Sequence, residues 1–139
     1  MDNVGAYACI FCDIINKNAP RTMYEETDDL VVIQKRIKPR KIELPVNILI
    51  IPKKHIINFK HLDFTDPYDA TIVSKMVCMA QNISKQLTGT GDFWISVNNG
   101  AKAKQTVFHS HMHFKSWEQW PGKIDPLGDS NKKSGAGHD

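Results

Sequence analysis

Three histidines recur at every second position late in this chain, and this spacing constrains the fold more than any other feature. They are His109, His111 and His113, half of the six histidines in the sequence. Successive side chains of a strand point to opposite faces, so an extended segment places all three imidazoles on one face. A helix would distribute them around its circumference. The spacing therefore predicts a strand with a row of imidazoles on one face and Phe108, Ser110, Met112 and Phe114 on the other.

A single metal site made of all three histidines does not fit this row. Residues two apart on a strand are separated by roughly 6.6 Å, so the outer pair spans about 13 Å. Because a zinc–nitrogen bond measures only about 2.0–2.1 Å, the three rings cannot easily converge on one ion. We therefore expect the histidines to have different roles. A plain polar face of a surface strand is the simpler alternative.

The pair Cys9-x-x-Cys12 is a second candidate site. Two thiolates at this spacing can share a zinc ion, which takes four ligands. The sequence has no second pair of cysteines at this spacing, so histidines would have to complete the set. A redox-active pair and two simply buried cysteines are the alternatives. The odd total of three cysteines argues against a disulfide framework.

The histidine run resembles the motif of the histidine triad (HIT) nucleotide hydrolases and transferases, His-φ-His-φ-His-φ-φ with φ apolar. Ser110 and Lys115 occupy slots that are usually apolar in this motif. The similarity covers roughly residues 7 to 116 and includes three further blocks in the same order: Cys9–Ile15, Ile51–His55 and Asn98–Phe108. Within the superfamily, this pattern most resembles the HINT-like, bacterial zinc-containing branch.

The resemblance implies a role for each residue of the site. His111 would attack the α-phosphate as the nucleophile, and His113 would donate a hydrogen bond to a phosphate oxygen. Asn98, Gln105 and Thr106 would bind phosphate, and the Thr106 hydroxyl would also help the leaving group depart. A structural zinc ion would be held by the residues at the four matching ligand positions, which are Cys9, Cys12, His55 and His109.

The implied function is hydrolysis at the α-phosphate of a nucleotide through a nucleotidyl-histidine intermediate, with nucleoside phosphoramidates as the first substrate class. A dinucleoside polyphosphate hydrolase or a nucleotidyl transferase would use the same histidines. A nucleotide-binding regulatory module without significant catalysis is a further alternative. The resemblance also implies a homodimer.

A basic segment, residues 35–41, carries five Lys or Arg residues in seven positions. A solvated loop is the simplest interpretation. Relatives tend to place an Asp-Ile pair at Arg36-Ile37, and that carboxylate holds the ribose hydroxyls. A guanidinium only donates hydrogen bonds, so Arg36 cannot accept from those hydroxyls. We hypothesise that Arg36 and its neighbours contact an additional phosphate or a larger anionic substrate.

Apolar periodicity predicts an α+β fold, an antiparallel five-stranded sheet with one long and one short helix. The long helix should begin at a Thr65 or Asp66 cap with Pro67 in its first turn, and should end at Gly89. Its buried stripe should contain Ile72, Met76, Ala80, Ile83 and Leu87, with Val73 and Val77 widening it and Cys78 packing beside it. The short helix is expected at 12–18, and strands are expected at 22–24, 30–34, 47–51 and 93–98 and through the histidine row.

The length of 139 residues suits one domain, which we place at residues 1–122, followed by a disordered tail at 123–139. A net charge of +3 suits an anionic small molecule, and nucleic-acid binding is a weaker alternative. No run of about 18 apolar residues predicts a membrane span. Since no signal-peptide pattern is present either, we expect a cytoplasmic protein.

Overall fold

The computed structural model describes residues 8–36 and 44–121. The expected tail at 123–139 and most of the basic segment lie outside the described residues. The helices and strands are α1 (Ile10–Ile15), β1 (Met23–Glu26), β2 (Leu30–Gln34), β3 (Val46–Pro52), α2 (Pro67–Ser84), β4 (Trp94–Ser96) and β5 (Met112–Ser116). Two single 3-10 turns occupy Phe59–His61 and Ala101–Ala103.

The five strands form one sheet in the order β1-β2-β3-β5-β4, and every neighbouring pair is antiparallel. The predicted fold class is therefore confirmed. The register of β3 and β5 places Leu49 opposite His113 and Asn47 opposite Lys115. This pairing fixes which residues share a face with the last histidine of the row.

Helix α2 covers one face of the sheet. All five residues of its predicted stripe are buried there against β2, β3 and β5. The expectation for Val77 and Cys78 is wrong, because Val77 is 46% exposed and Cys78 is exposed. Both follow Met76 directly, and 100° per residue carries them off the buried face. None of the helices in the described part of the chain has the length and apolar character needed to cross a bilayer.

Helix α1 packs on the opposite face of the sheet. Phe11 and Ile14 pack against Val31 and Ile33 of β2 and against two residues of β3, and together they form a second, smaller apolar cluster. This cluster also contains Cys9 and Cys12, so the two cysteines lie at the edge of a packed apolar layer. The candidate site is built on this face.

The helix boundaries differ from the prediction by a few residues. Asp66 caps α2 as predicted, with its side chain accepting from the Asp69 N–H, but the helix ends at Ser84 rather than near Gly89. Helix α1 begins two residues earlier than expected because Cys9 caps it, its sulfur accepting from the Cys12 N–H. The chain leaves α1 through Lys17, whose φ is 65°.

The prediction of one strand through all three histidines is wrong in part. Strand β5 begins at Met112, so only His113 lies on it. Before that point the chain makes other contacts, because the Ser110 N–H donates to the Ile56 carbonyl and a ring nitrogen of His109 contacts the Pro52 carbonyl. Met112 and Phe114 nevertheless face the α2 side, opposite His113, as predicted.

Candidate active site and metal centre

Four residues from three separate parts of the chain converge beside α1. They are Cys9, Cys12, His55 and His109, and one ligand atom from each lies within 4.8 Å of all the others. Helix α1 supplies the cysteines, the segment after β3 supplies His55, and the approach to β5 supplies His109. Three of the four are buried and His55 is exposed. This is the group of residues expected from the resemblance.

The distances within the cluster are those of a metal site. The Nδ1 atom of His55 lies 3.5 Å from the Cys9 sulfur and 3.2 Å from the Cys12 sulfur. The Nδ1 atom of His109 lies 3.5 Å from each sulfur. Bond lengths of about 2.3 Å to sulfur and 2.0–2.1 Å to nitrogen place tetrahedral ligand atoms about 3.6 Å apart. The cluster can therefore hold a metal ion with little movement of its side chains.

The tautomer of His109 also fits metal binding. Its Nε2 atom lies 2.8 Å from the carbonyl oxygen of Pro52, which only accepts hydrogen bonds. Nε2 therefore carries the proton, and Nδ1 turns an unprotonated lone pair toward the cysteine sulfurs. A backbone carbonyl on the far ring nitrogen is the usual means of orienting a metal-ligating histidine.

Desolvation disfavours the charged forms of His109, His55 and Cys12 in the metal-free cluster. It lowers the pKa of His109 to about 4 and lowers the pKa of His55. Burial, with the neighbouring Cys9 as a second cause, raises the pKa of Cys12 to about 12. A divalent cation would displace the thiol protons, so metal uptake at this cluster releases protons.

His111 is fixed by the backbone of the residue two positions before it. Its Nδ1 atom lies 2.8 Å from the carbonyl oxygen of His109. Since that oxygen can only accept, Nδ1 is protonated and Nε2 carries the free lone pair. Phe11 packs edge-on against the ring, with centroids 5.0 Å apart. Burial lowers the pKa of His111, which favours the neutral ring.

His113 lies next to His111, with ring centroids 5.1 Å apart. Burial and then the neighbouring groups His111, Lys35 and Lys115 lower the pKa of His113 to about 4. Its Nδ1 atom is buried and has no hydrogen-bond partner among the described residues. A neutral ring with an unused nitrogen can donate a hydrogen bond to a bound group.

The side chain of Gln105 makes its hydrogen bonds within the protein. It is only 4% exposed. Its Oε1 accepts from the Asn58 amide at 3.0 Å and from the Gly100 N–H at 2.8 Å. Its Nε2 donates to the carbonyls of Ile57 and Val107 at 2.7 and 3.0 Å. The side-chain amide is therefore fully used in tying the loop before the histidines to the segment after His55.

The loop between β4 and the histidines is closed by its own hydrogen bonds. The Asn98 amide donates to the Ala103 carbonyl at 2.7 Å, and Lys104 has a left-handed backbone with φ of 72°. A lysine in the left-handed conformation is strained. Thr106 is exposed, so its hydroxyl can reach a ligand. Arg36 is also exposed, at the last described position before the gap.

Comparison with known proteins agrees with this geometry. Residues 8–123 match the family model described as scavenger mRNA decapping enzyme C-terminal binding. An uncharacterized HIT-like protein of Synechocystis is 35% identical over 115 residues, which cover 81% of this chain and 94% of that protein. The chain belongs to the histidine triad (HIT) family. The adenylylsulfatase HINT1 of Arabidopsis thaliana is 32% identical to this HIT protein over 114 residues, covering 81% and 74% of the two chains.

Solved structures extend the comparison. A HIT family hydrolase from Clostridium thermocellum superposes with a TM-score of 0.67 at 32% identity, covering 79% of this HIT protein and 90% of that chain. A zinc-bound histidine triad family protein from Mycobacterium smegmatis superposes with a TM-score of 0.56 at 27% identity, covering 94% and 86% of the chains. The fold and the family are thus shown together, and the chain is of the nucleotide-binding, hydrolase type of HIT protein.

Several residues of the site were not expected from the sequence. Asn58, Pro52 and Phe11 hold Gln105, His109 and His111 in place. Asn58 and Phe11 act from far along the chain, and Pro52 acts through its backbone, so no local pattern marks their roles.

Proposed function

We propose that this HIT protein hydrolyses nucleotides at the α-phosphate, with nucleoside phosphoramidates as its first substrate class. The observation that carries the proposal is the contact between His111 Nδ1 and the His109 carbonyl, which leaves Nε2 as the free nucleophilic atom. The site opens beside an exposed Thr106 and a half-buried His113. The similarity to hydrolases of the same family supports the reaction type.

The proposed reaction has two displacements at phosphorus. His111 Nε2 attacks the α-phosphorus, a nitrogen–phosphorus bond forms, and the bond to the leaving group breaks. The positive charge that develops on the ring is stabilised by the His109 carbonyl, which already accepts from Nδ1–H. His113 donates to a phosphate oxygen, and Thr106 donates to the leaving group, which departs protonated. Water then attacks phosphorus, returns one proton to Thr106 and breaks the nitrogen–phosphorus bond, which releases the nucleoside monophosphate and neutral His111.

Asn98 and Gln105 complete the proposed phosphate site in different ways. Asn98 is half-buried on the loop and holds that loop closed through the Ala103 carbonyl. Because the Gln105 amide makes four internal hydrogen bonds, we assign it a positioning role toward Thr106 and the histidines. Arg36 is exposed and remains the proposed contact for an additional phosphate.

We also propose that the metal of the cysteine–histidine cluster is zinc with a structural role. A mixed set of two thiolates and two imidazoles with tetrahedral spacing is typical of closed zinc sites. The zinc-bound relative from Mycobacterium smegmatis supports the choice of ion. When bound, zinc would fix the His109 segment and would supply no reacting group, because all four ligand positions belong to the protein.

A cytoplasmic homodimer is part of the same proposal. Strand β4 has β5 as its single sheet neighbour in the described residues, and Trp94 on it is 43% exposed. An exposed edge with a large apolar side chain suits pairing with a second copy. Sedimentation equilibrium measures the oligomeric state directly, and a monomer at micromolar concentration would contradict this part.

The activity is tested by release of AMP or GMP from nucleoside 5′-phosphoramidates. We expect His111→Ala to lower turnover by at least about 10³-fold, as for loss of a covalent nucleophile. His61→Ala is the matched control, because His61 is exposed on a separate 3-10 turn. Turnover unaffected by His111→Ala would overturn the mechanism. Nucleotide binding without turnover in either protein would instead indicate a binding module.

A further inference from the structure

A row of polar residues continues the triad face of the sheet toward the start of β3. Lys115 lies two residues after His113 on β5 and therefore shares its face. Asn47 is paired with Lys115 across the strands, next to the pair formed by Leu49 and His113. All three polar residues are half-buried. Nothing in the proposed reaction at the α-phosphate uses Lys115 or Asn47.

Two buried polar atoms on this face lack partners. Asn47 Oδ1 and His113 Nδ1 have no hydrogen bond to any described residue. Buried polar atoms in folded proteins are nearly always hydrogen-bonded, so two of them on adjacent cross-strand pairs point to groups that a ligand supplies. The amide of Asn47 can donate through its nitrogen or accept through its oxygen.

Two lysines give this face a positive field. Lys35 directly follows Gln34, the last residue of β2, which is paired with Ile48 next to Asn47 on β3. Lys35 and Lys115 both act on His113 and lower its pKa. No carboxylate of the described residues is among the charges that act on His111 or His113. Lys115 has no ion pair within the described chain.

We propose that Lys115, Asn47 and Lys35 form a second anion subsite, which binds a further phosphate or sulfate group of the nucleotide substrate. The proposal rests on the proposed function, since it takes the α-phosphate to lie at His111 and His113. Lys115 occupies a slot that is usually apolar in the HIT motif, so the subsite would distinguish this chain from relatives with an apolar residue there.

The second group can be attached on either side of the α-phosphate. On the leaving-group side it is the next phosphate of a diphosphate, or the sulfate of a phosphosulfate. On the nucleoside side it is a phosphate on the ribose. In both cases the recognition chemistry is the same, because an ammonium and an amide N–H donate to anionic oxygens. The two arms of the test separate these sources.

The test is isothermal titration calorimetry of the full-length protein with three kinds of nucleotide. These are the nucleoside 5′-monophosphate, the 5′-diphosphate and the 3′,5′-bisphosphate, each with adenine and with guanine. We expect one of the doubly phosphorylated ligands to bind at least about tenfold more tightly than the monophosphate, the value for one charge-assisted hydrogen bond. The ligand that shows this gain identifies the side on which the second group lies.

Two substitutions separate the subsite from a general effect of charge. Lys115→Gln is expected to bring the affinity ratio from about tenfold or more toward one. Lys85→Gln removes the same charge from an exposed position after α2 and is expected to leave the ratio unchanged. Equal affinities of all ligands in the natural protein would overturn the subsite. An equal loss for all ligands in Lys115→Gln would overturn it as well.

Binding and turnover are measured separately, so the two proposals can fail independently. Hydrolysis of phosphoramidates without Lys115-dependent discrimination overturns the subsite alone. Discrimination without hydrolysis of any nucleotide overturns the proposed function alone. Absence of binding by all of these nucleotides overturns both.

Discussion

The carbonyl oxygen of His109 lies 2.8 Å from Nδ1 of His111, and the side chain of the same His109 faces Cys9 and Cys12. One residue thus belongs to the metal centre through its ring and to the candidate active site through its backbone. Its position sets both the tautomer and the direction of the His111 ring. A shift of His109 would therefore change both the candidate metal centre and the orientation of the His111 ring, although the metal takes no part in the proposed reaction.

Metal removal should therefore lower both stability and turnover. We expect Cys12→Ser to reduce the free energy of unfolding by about 4 kcal/mol, the contribution of an ion present at 1,000 times its dissociation constant. Turnover should fall as well, since the His109 carbonyl loses its fixed position. Elemental analysis, thermal unfolding and the phosphoramidate assay measure these effects. Cys78→Ser is the control because Cys78 is exposed, and a metal-free protein of undiminished stability would contradict the prediction.

Substitution of Asn58 should impair the loop without touching the substrate. Asn58 is 3% exposed, and its amide donates to Gln105 while its Oδ1 accepts from the Lys60 N–H. We expect Asn58→Ala to cost about 1–3 kcal/mol, because the buried Gln105 Oε1 loses a donor. We also expect kcat to fall more than KM rises, since Thr106 and the histidines lose a fixed backbone.

Urea unfolding and steady-state kinetics provide these measurements. Asn58→Asp keeps the acceptor for Lys60 and removes the donor to Gln105, so it should be at least as harmful as Asn58→Ala. Asn82→Ala, at an exposed position of α2, is the control. A fully active Asn58→Asp protein would rule out the positioning role.

Two buried serines should respond in opposite directions to replacement by alanine. Ser110 is buried, and its hydroxyl oxygen has no partner among the described residues. In the natural protein, folding removes water from the Ser110 hydroxyl and provides no hydrogen bond in return. Ser110→Ala abolishes this cost and should therefore raise the free energy of unfolding by about 1 kcal/mol. The buried Ser116 donates to the Asp92 carbonyl and accepts from the Glu118 N–H, so Ser116→Ala should cost about 1–3 kcal/mol. Denaturant unfolding of both proteins tests the pair, and destabilisation by both substitutions would be the contrary result.

Asp69 should make part of the stability depend on acidity. Burial would raise the pKa of its carboxyl, but hydrogen bonds from the Lys54 ammonium at 2.7 Å and the Asp63 N–H at 2.9 Å outweigh this and lower it. Because the pKa of Asp69 is lower in the folded state, its ionised carboxylate stabilises the fold. This stabilisation is complete above the unfolded-state pKa of about 4, and it is lost as the pH falls through the folded-state pKa. The stability difference between the natural protein and Asp69→Asn should therefore be largest near neutral pH and shrink in acid.

Urea unfolding of both proteins at a series of pH values measures that difference. Comparing the two at each pH cancels the acid sensitivity that they share, including that of the metal ligands. Asp28→Asn is the control, because Asp28 is exposed. A difference that stays constant from neutral to acid pH would show that the charge of Asp69 contributes nothing.

Local patterns in the sequence predicted the scaffold well. The stripe of α2, its Asp66 cap and the buried runs of β2 and β3 follow from apolar periodicity and capping chemistry, which act over a few residues. The metal cluster was expected from family resemblance, since no local pattern brings Cys9 within 3.5 Å of His109. The alternation of the histidines predicted the shared side of His111 and His113 but not that β5 begins at Met112. That boundary depends on Ile56 and Pro52, which are distant in sequence.

The loop before the histidines was the least predictable part. The resemblance assigns Gln105 to the phosphate site, and no pattern in the sequence predicts the four hydrogen bonds that its side-chain amide makes inside the protein. Two of its four partners, Asn58 and Ile57, lie nearly fifty positions earlier, and amide side chains have no spacing rule that would reveal such a pairing.

The strand order β1-β2-β3-β5-β4 has a consequence for how the chain reaches this structure. Strand β4 is made before β5, yet β5 is its one neighbour in the described sheet, so β4 must wait for a later strand before it can pair. During synthesis from the N-terminus, β1 to β3 can assemble first while β4 stays detached. The arrival of β5 then joins β4 to the sheet and delivers His109 and His111 in the same event. A ribosome-bound chain that stops before His109 would therefore lack residues of both centres as well as the strand with which β4 pairs.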